Sequence, residues 1–257
     1  MVKDINFNFG SIFILFGLGQ ALFLAIFYIS RHRRPVRSDI LLSGLLLCFS
    51  LNLMEIFYCY SNLAFTNLWV VDLAEPANFL MVVLYYFMVR SKLEDSPIKV
   101  SILHFLPFLA YLIFMLFHFY FKPAPIKYSA YVDAYHPDIL NFFWEENKPY
   151  WIIWVRKYKD VIMVVQIIIY LVFLILYLRK IILQKNLRWL QAEGNLKWAL
   201  QSLAMIIFLT LLFIFVKSIF KNDKGDFLIG IFMSVIIYIL SFSLLSKSIA
   251  VGKDKSK

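Results

Sequence analysis

Seven long apolar stretches, near residues 10–30, 40–61, 72–89, 100–121, 158–178, 198–219 and 227–246, occupy most of this 257-residue chain. A helix that crosses a bilayer needs roughly 20 mostly apolar residues, whereas a barrel strand needs about half that. Only helices and closed barrels satisfy their backbone groups in hydrocarbon. The pattern therefore predicts an all-α fold: a polytopic membrane protein with a seven-transmembrane-helix bundle over 1–250 and a short tail at 251–257. Hydrophobic residues make up 62% of the chain, well above the roughly half expected of a soluble domain. Every connection is short except 122–157, which leaves no room for a separate globular domain.

A net charge of +10 could suit nucleic acid, but the placement of the charges fits membrane topology. Arg31, Arg33, Arg34 and Arg37 follow the first span; Arg90, Lys92 and Lys99 follow the third. Arg179, Lys180, Lys185, Arg188 and Lys197 fill the fifth connection, and Lys247, Lys253, Lys255 and Lys257 close the chain. Sixteen of the 26 basic residues thus fall on one side, which the positive-inside rule makes cytoplasmic. The N-terminus is then outside and the C-terminus inside, and the partner expected for the basic excess is the lipid bilayer with its anionic headgroups. The first stretch lacks a basic leader and a small-residue cleavage pattern, so it reads as a retained helix rather than a signal peptide. Cys48 and Cys59 lie about 16 Å apart along one helix, too far to pair.

Polar residues inside the spans carry the functional signal. Gly44, Cys48, Asn52, Glu55, Cys59 and Asn62 recur at spacings of four and three, which puts them on one stripe of the second span. Such a stripe must face protein or water, since a charge at the bilayer centre costs at least ~2.5–3.5 kcal/mol. Weaker stripes are His104, Tyr111 and His118 on the fourth span, Lys159, Gln166, Tyr170 and Tyr177 on the fifth, and Gly230, Ser234, Tyr238 and Ser241 on the seventh. With the topology above, Glu55, Asp72, Glu75, His118, Asp160 and Lys217 all fall near the outer side. Asn52, Glu55, Asp72, Glu75, Asn78, His118 and Lys217 are accordingly the expected lining of an outer-half ligand pocket, with Lys217 or His118 as charge partners. The alternative is a buried polar network that fixes helix packing.

The connection at 122–157 holds Tyr128, Tyr131, Tyr135, Phe142, Phe143, Trp144, Tyr150, Trp151 and Trp154. These rings suit either an interfacial belt or a lid over the pocket. Gly17 and Ala21 have the small-xxx-small spacing that lets a neighbouring helix approach closely. Pro107 should kink the fourth span or loosen its first turn, and residues 181–191 should lie along the inner interface as an amphipathic helix anchored by Trp189 and Trp198. No metal-ligand spacing, nucleophile elbow, phosphate loop or protease helix stands out. No cofactor, metal site or enzyme activity is expected.

Several segments resemble the N-terminal membrane half of bacterial membrane-bound AraC-type transcription regulators. They are Gly17-Leu18-Gly19-Gln20-Ala21-Leu22-Phe23-Leu24 with the basic break at 31–34, Ser38-Asp39-Ile40-Leu41-Leu42, Tyr85-Tyr86-Phe87-Met88-Val89-Arg90-Ser91, and Leu103-His104-Phe105-Leu106-Pro107-Phe108-Leu109. The resemblance implies a multi-pass sensor in the bacterial cytoplasmic membrane, working as a homodimer. It would relay an outer-side or in-membrane signal, such as a small-molecule ligand, to a cytoplasmic DNA-binding domain. The sequence departs from that family in ending at Lys257 without a DNA-reading domain, so this chain itself is expected to bind no nucleic acid. The runner-up expectations are the sensor region of a histidine kinase and a small solute transporter. The latter finds no support in an inverted repeat or paired broken helices.

Overall fold

A computed structural model describes residues 4–30, 36–94, 98, 100–139, 149–185, 192, 194–220 and 223–254, with side chains through Phe242. Among the described residues eight α-helices follow one another: α1 (Phe9–Ser30), α2 (Arg37–Tyr60), α3 (Glu75–Leu93), α4 (Leu106–Met115), α5 (Ala124–Tyr135), α6 (Tyr150–Gln184), α7 (Gly194–Ile219) and α8 (Asp226–Asp254). No strand occurs among the described residues. Among the described residues six helical segments are long and apolar enough to cross a membrane: α1, α2, Ile102–Tyr120 around α4, α6, α7, and Asp223–Phe242 at the start of α8. α3 is not among them, because Glu75, Arg90 and Lys92 fall within its 19 residues.

Helix boundaries follow local chemistry. Asn8 caps α1: its Oδ1 accepts from the Ser11 N–H at 2.9 Å, and the Ser11 Oγ accepts from the Asn8 N–H at 3.0 Å, satisfying donors that a helix start leaves orphaned. α2 stops at Tyr60, and Asn62 turns the chain with φ 66°, a left-handed conformation that Asn and Asp tolerate best. Asn62 therefore lies past the helix that carries the rest of its predicted stripe, and its side chain instead donates to the Asp4 carbonyl at 2.8 Å. Asp72 likewise precedes α3, at φ 58°. Pro107 occupies the first turn of α4, where a missing N–H costs no bond, and a 3-10 turn at Ile102–Phe105 leads into it. The described part of the 122–157 connection holds α5 and the first two turns of α6.

α2 and α3 form the centre, packed between α1 and α8 on one side and α4, α6 and α7 on the other. In α2, 56% of the apolar window is buried, against 17% around α4 and 22% in α6 and α7. Along the middle of α6 and α7 the exposed residues are apolar, Val161, Ile168, Val172 and Leu176 on α6 and Leu211 and Phe215 on α7 among them. Such surfaces suit lipid, which leaves the polar side chains to face inward. α8 lies close against α1. A Cβ added to Gly17 would sit 2.2 Å from Ser234 Oγ, Tyr238 donates to the Phe13 carbonyl at 3.1 Å, and Gln20 bonds Ser241. The predicted stripe on the seventh span is thus the contact face with α1.

The two ends of the bundle differ. At one end Arg37 donates to the Ile98 carbonyl, Asn195 donates to the Lys92 carbonyl at 3.2 Å, and the Lys92 ammonium sits 3.7 Å from the centre of the Trp198 ring. At the other, α5 folds over the tip of α2, where Tyr131 donates to the Cys59 carbonyl at 2.8 Å. α6, at 35 residues, is about 52 Å long, well beyond a hydrocarbon core of about 30 Å. Its excess projects at this second end and exposes Tyr150, Trp151 and Trp154. Arg31, Arg33, Arg34, Lys99, Phe142, Phe143, Trp144, Arg188 and Trp189, most of the predicted 181–191 interfacial helix, and the side chains of Lys247 and Lys253 lie outside the described residues, as do Lys255 and Lys257.

Candidate functional site

The charged side chains of the spans converge at the end covered by α5. Glu55, one turn from the end of α2, accepts the Asp72 N–H through Oε1 at 3.1 Å and the Ala74 N–H through Oε2 at 2.7 Å. It thereby caps α3 from a neighbouring helix, where the positive end of the helix dipole favours a carboxylate. Asp72 itself pairs with Arg156 of α6, whose guanidinium lies 4.7 Å from the Phe119 ring centre. Glu75, in the first turn of α3 and 8% exposed, pairs with Lys159 of α6 and accepts from the Tyr111 hydroxyl at 2.7 Å. At the α7–α8 corner, Lys217 Nζ reaches Asp223 Oδ1 at 2.6 Å and Asp226 Oδ1 at 2.8 Å. Tyr120 closes the edge by donating to the Asp72 carbonyl at 2.9 Å.

Of these groups, Glu55, Asp72, Glu75, Lys159, Lys217, Asp223 and Asp226 ring the mouth of a partly open cavity of about 150 Å³ between α2, α3, α6, α7 and α8. Its lower walls are apolar, with Phe49, Met81, Ile167, Leu209 and Met233 among them. Its depth is the same along three independent helices. The lining runs from Glu55 to Leu45 on α2, from Glu75 to Tyr85 on α3, and from Lys217 to Ile206 on α7, ten or eleven residues each and hence about 15 Å. Four polar side chains, Asn52, Asn78, Tyr85 and Thr210, interrupt the apolar walls. Asn52 donates to the Cys48 carbonyl at 3.0 Å and Thr210 to the Ile206 carbonyl at 2.8 Å, so both spend a donor on their own helix. Asn78 lines the cavity with a buried Oδ1 that accepts no hydrogen bond among the described residues.

Of the seven residues expected to line an outer pocket, Asn52, Glu55, Asp72, Glu75, Asn78 and Lys217 surround this one cavity. His118 does not. Its ring packs on Trp151 at 4.9 Å and Phe114 at 5.1 Å between centroids, away from the cavity lining. The charge partners also differ from expectation: Glu75 pairs with Lys159, and Lys217 serves Asp223 and Asp226. Arg156, Lys159, Asp160, Asp223 and Asp226 are the members of the cluster that the sequence does not assign to the pocket. Two of them carry a usable signal: Asp160 through its expected depth near the outer side, and Lys159 because it shares a helical face with Gln166, Tyr170 and Tyr177. That face does turn inward: Gln166 donates to the Phe79 carbonyl at 3.0 Å, and Tyr170 bonds His104 Nδ1 at 2.7 Å.

Among the described residues no group of three His, Cys, Asp or Glu side chains is arranged to hold a metal ion. Five of the six carboxylates are engaged by lysine, arginine or backbone N–H groups, and Asp160 is the exception among the described residues. Chemically the site is a set of fixed charges around the mouth of a greasy well, suited to binding an amphiphilic molecule in a defined orientation. No protein-family model, curated protein or solved structure matches this chain.

Proposed function

We propose that this chain is a membrane-embedded signal receptor. In this reading α3 is a seventh crossing helix, the N-terminus is outside and the end of α8 is cytoplasmic, as the distribution of basic residues requires. The cavity then opens in the outer half of the bilayer and receives a small molecule, and α8 carries the response inward. The observation that supports this most is the joint wall of the cavity. Asp223 and Asp226, at the head of α8, meet the α7 residue Lys217 at the mouth. Sixteen residues separate Asp226 from Phe242, so a tilt set at the mouth travels about 24 Å along one continuous helix.

A ligand moves such a bundle only by binding one arrangement better than the other. α8 is seated on α1 through a glycine contact at Gly17 and hydrogen bonds at Tyr238 and Ser241, which limits it to a few discrete positions. The resemblance to the membrane half of AraC-type regulators supports transcription as the output, a symmetric pair of chains as the working unit, and the bacterial cytoplasmic membrane as the location.

Filling the cavity with a side chain tests the relay without knowing the ligand. Thr210, buried on the α7 wall, is replaced by tryptophan, and spin labels are placed at Leu183→Cys and Phe242→Cys, two exposed sites on α6 and α8. The distance distribution between the labels is expected to shift between the open-cavity and filled-cavity proteins in lipid nanodiscs. An unchanged distribution, with the introduced tryptophan shown by its fluorescence to be seated in the cavity, would overturn the receptor reading.

A further inference from the structure

The charges around the cavity do not balance. Six carboxylates gather there: Glu55, Asp72, Glu75, Asp160, Asp223 and Asp226. Three cations answer them: Arg156 is taken by Asp72, Lys159 by Glu75, and Lys217 is shared by Asp223 and Asp226. Among the described residues, Glu55 and Asp160 have no cation within ion-pair distance, and both line the cavity. Glu55 is held by two backbone N–H groups, but those donors carry no full charge, and a carboxylate can accept about four bonds.

Asn78 adds to the same excess, since its buried Oδ1 on the cavity wall has no donor among the described residues. The buried side-chain atoms left without a hydrogen bond among the described residues are all acceptors, and Asp160 is a carboxylate that no cation answers. Asn52 and Thr210 already spend donors on their own helices, and both lysines are committed to carboxylates. The chemistry that fits is a cation bearing several N–H donors. An ammonium has three donors and no acceptor, and the aromatic walls, Tyr135 and Phe213, offer faces that attract a cation.

Below the charges, the apolar well sets the rest of the ligand. A cavity of about 150 Å³ matches the size that admits a benzene-sized body. Resting on the receptor reading above, we infer that the cavity binds a small amphiphilic amine, with its ammonium between Glu55, Asp160 and Asn78 and its apolar body in the well towards Leu45 and Tyr85. An anion of the same shape is rejected, because it would meet the Asp160 carboxylate and find both lysines already committed.

The probes are 2-phenylethylamine, its shape-matched anion phenylacetate and the neutral 2-phenylethanol, titrated onto the full chain in zwitterionic nanodiscs. Empty nanodiscs supply the partition background. Saturable amine binding is expected, at least tenfold weaker in Asp160→Asn, and lost when Thr210→Trp fills the well. Phenylacetate should show none. Asp160 makes no ion pair among the described residues, so Asp160→Asn should fold; Glu55→Gln is the second variant, and a tenfold loss is expected there as well. Equal or tighter binding of phenylacetate, amine binding unaffected by Asp160→Asn, or no saturable binding of the amine would each overturn the amine assignment. None of these results touches the receptor reading, which falls only if filling the cavity leaves the inner ends of α6 and α8 where they were.

Discussion

The Lys159–Glu75 pair is the strut on which the mouth of the cavity stands, and its removal has a calculable signature. The glutamate side chain is 9% exposed and the lysine 22%, so both charges have lost most of their water. Lys159→Met leaves Glu75 with only the Tyr111 hydroxyl as partner. Breaking a buried pair by removing one member costs about 3–5 kcal/mol; the lysine's residual exposure to the cavity puts this case near the lower end, about 3 kcal/mol. Lys159→Met combined with Glu75→Gln removes both charges and keeps an acceptor for Tyr111. A double replacement of that kind is often close to neutral, so the double variant should recover most of the loss, with a coupling energy of about 2 kcal/mol. Reversible unfolding of the four proteins in mixed micelles, followed by tryptophan fluorescence against denaturing-detergent fraction, measures it. Additive losses, with the double variant at the sum of the singles, would refute the strut.

Gly17 and Ser234 make a second, sterically simpler prediction. Gly17→Ala drives a methyl into Ser234 Oγ and should cost about 1–3 kcal/mol as overpacking, and Ser234→Gly should restore most of it in the same unfolding assay. Failure of that rescue would mean α8 does not rest on α1 at this point. The tyrosines of α5 predict an alkaline limit. Burial, and then the nearby Cys59 thiol, push the Tyr131 phenol above its ordinary range; burial chiefly does the same to Tyr135. A raised value means that the folded chain holds the neutral phenol longer than the unfolded chain, which releases its proton near pH 10. The stability contributed is therefore complete below about pH 10 and lost above it. Tyr131→Phe should cost about 1 kcal/mol at pH 8 through its lost bond to the Cys59 carbonyl, yet flatten the fall in stability between about pH 10 and 11. An unchanged slope would contradict the assignment.

Which parts of this arrangement are legible in the sequence follows from how local their causes are. The α2 stripe at Cys48, Asn52, Glu55 and Cys59 obeys one helix period, and its inward orientation needs only the rule that polar groups avoid lipid. The same holds for Lys159, Gln166 and Tyr170 on α6. The sequence misplaces His118 because its alignment with His104 and Tyr111 assumes an unbroken α-helix. A π-helical turn at Leu116–Tyr120 widens the last turn, changes the phase and carries His118 round to Trp151. Arg156 reads as loop because α6 begins two turns before its apolar run. Its partner Asp72 lies 84 residues earlier, a pairing that no local pattern encodes. Asp223 and Asp226 sit between the sixth and seventh predicted spans, where no helical period applies, and only the packing of α7 against α8 turns them onto Lys217.

The central claim is an outward-opening cavity joined to a cytoplasmic end, and cysteine accessibility tests both parts at once. Cys48 and Cys59, both buried, are replaced by alanine. Single cysteines are then placed at Asn52, on the cavity wall, and at Lys185, exposed past the far end of α6. A membrane-impermeant, positively charged methanethiosulfonate is added to the outside of intact cells. It should modify Asn52→Cys and leave Lys185→Cys untouched until the membrane is opened. Modification of Lys185→Cys from outside, or an Asn52→Cys that reacts only from the inner side, would contradict the account.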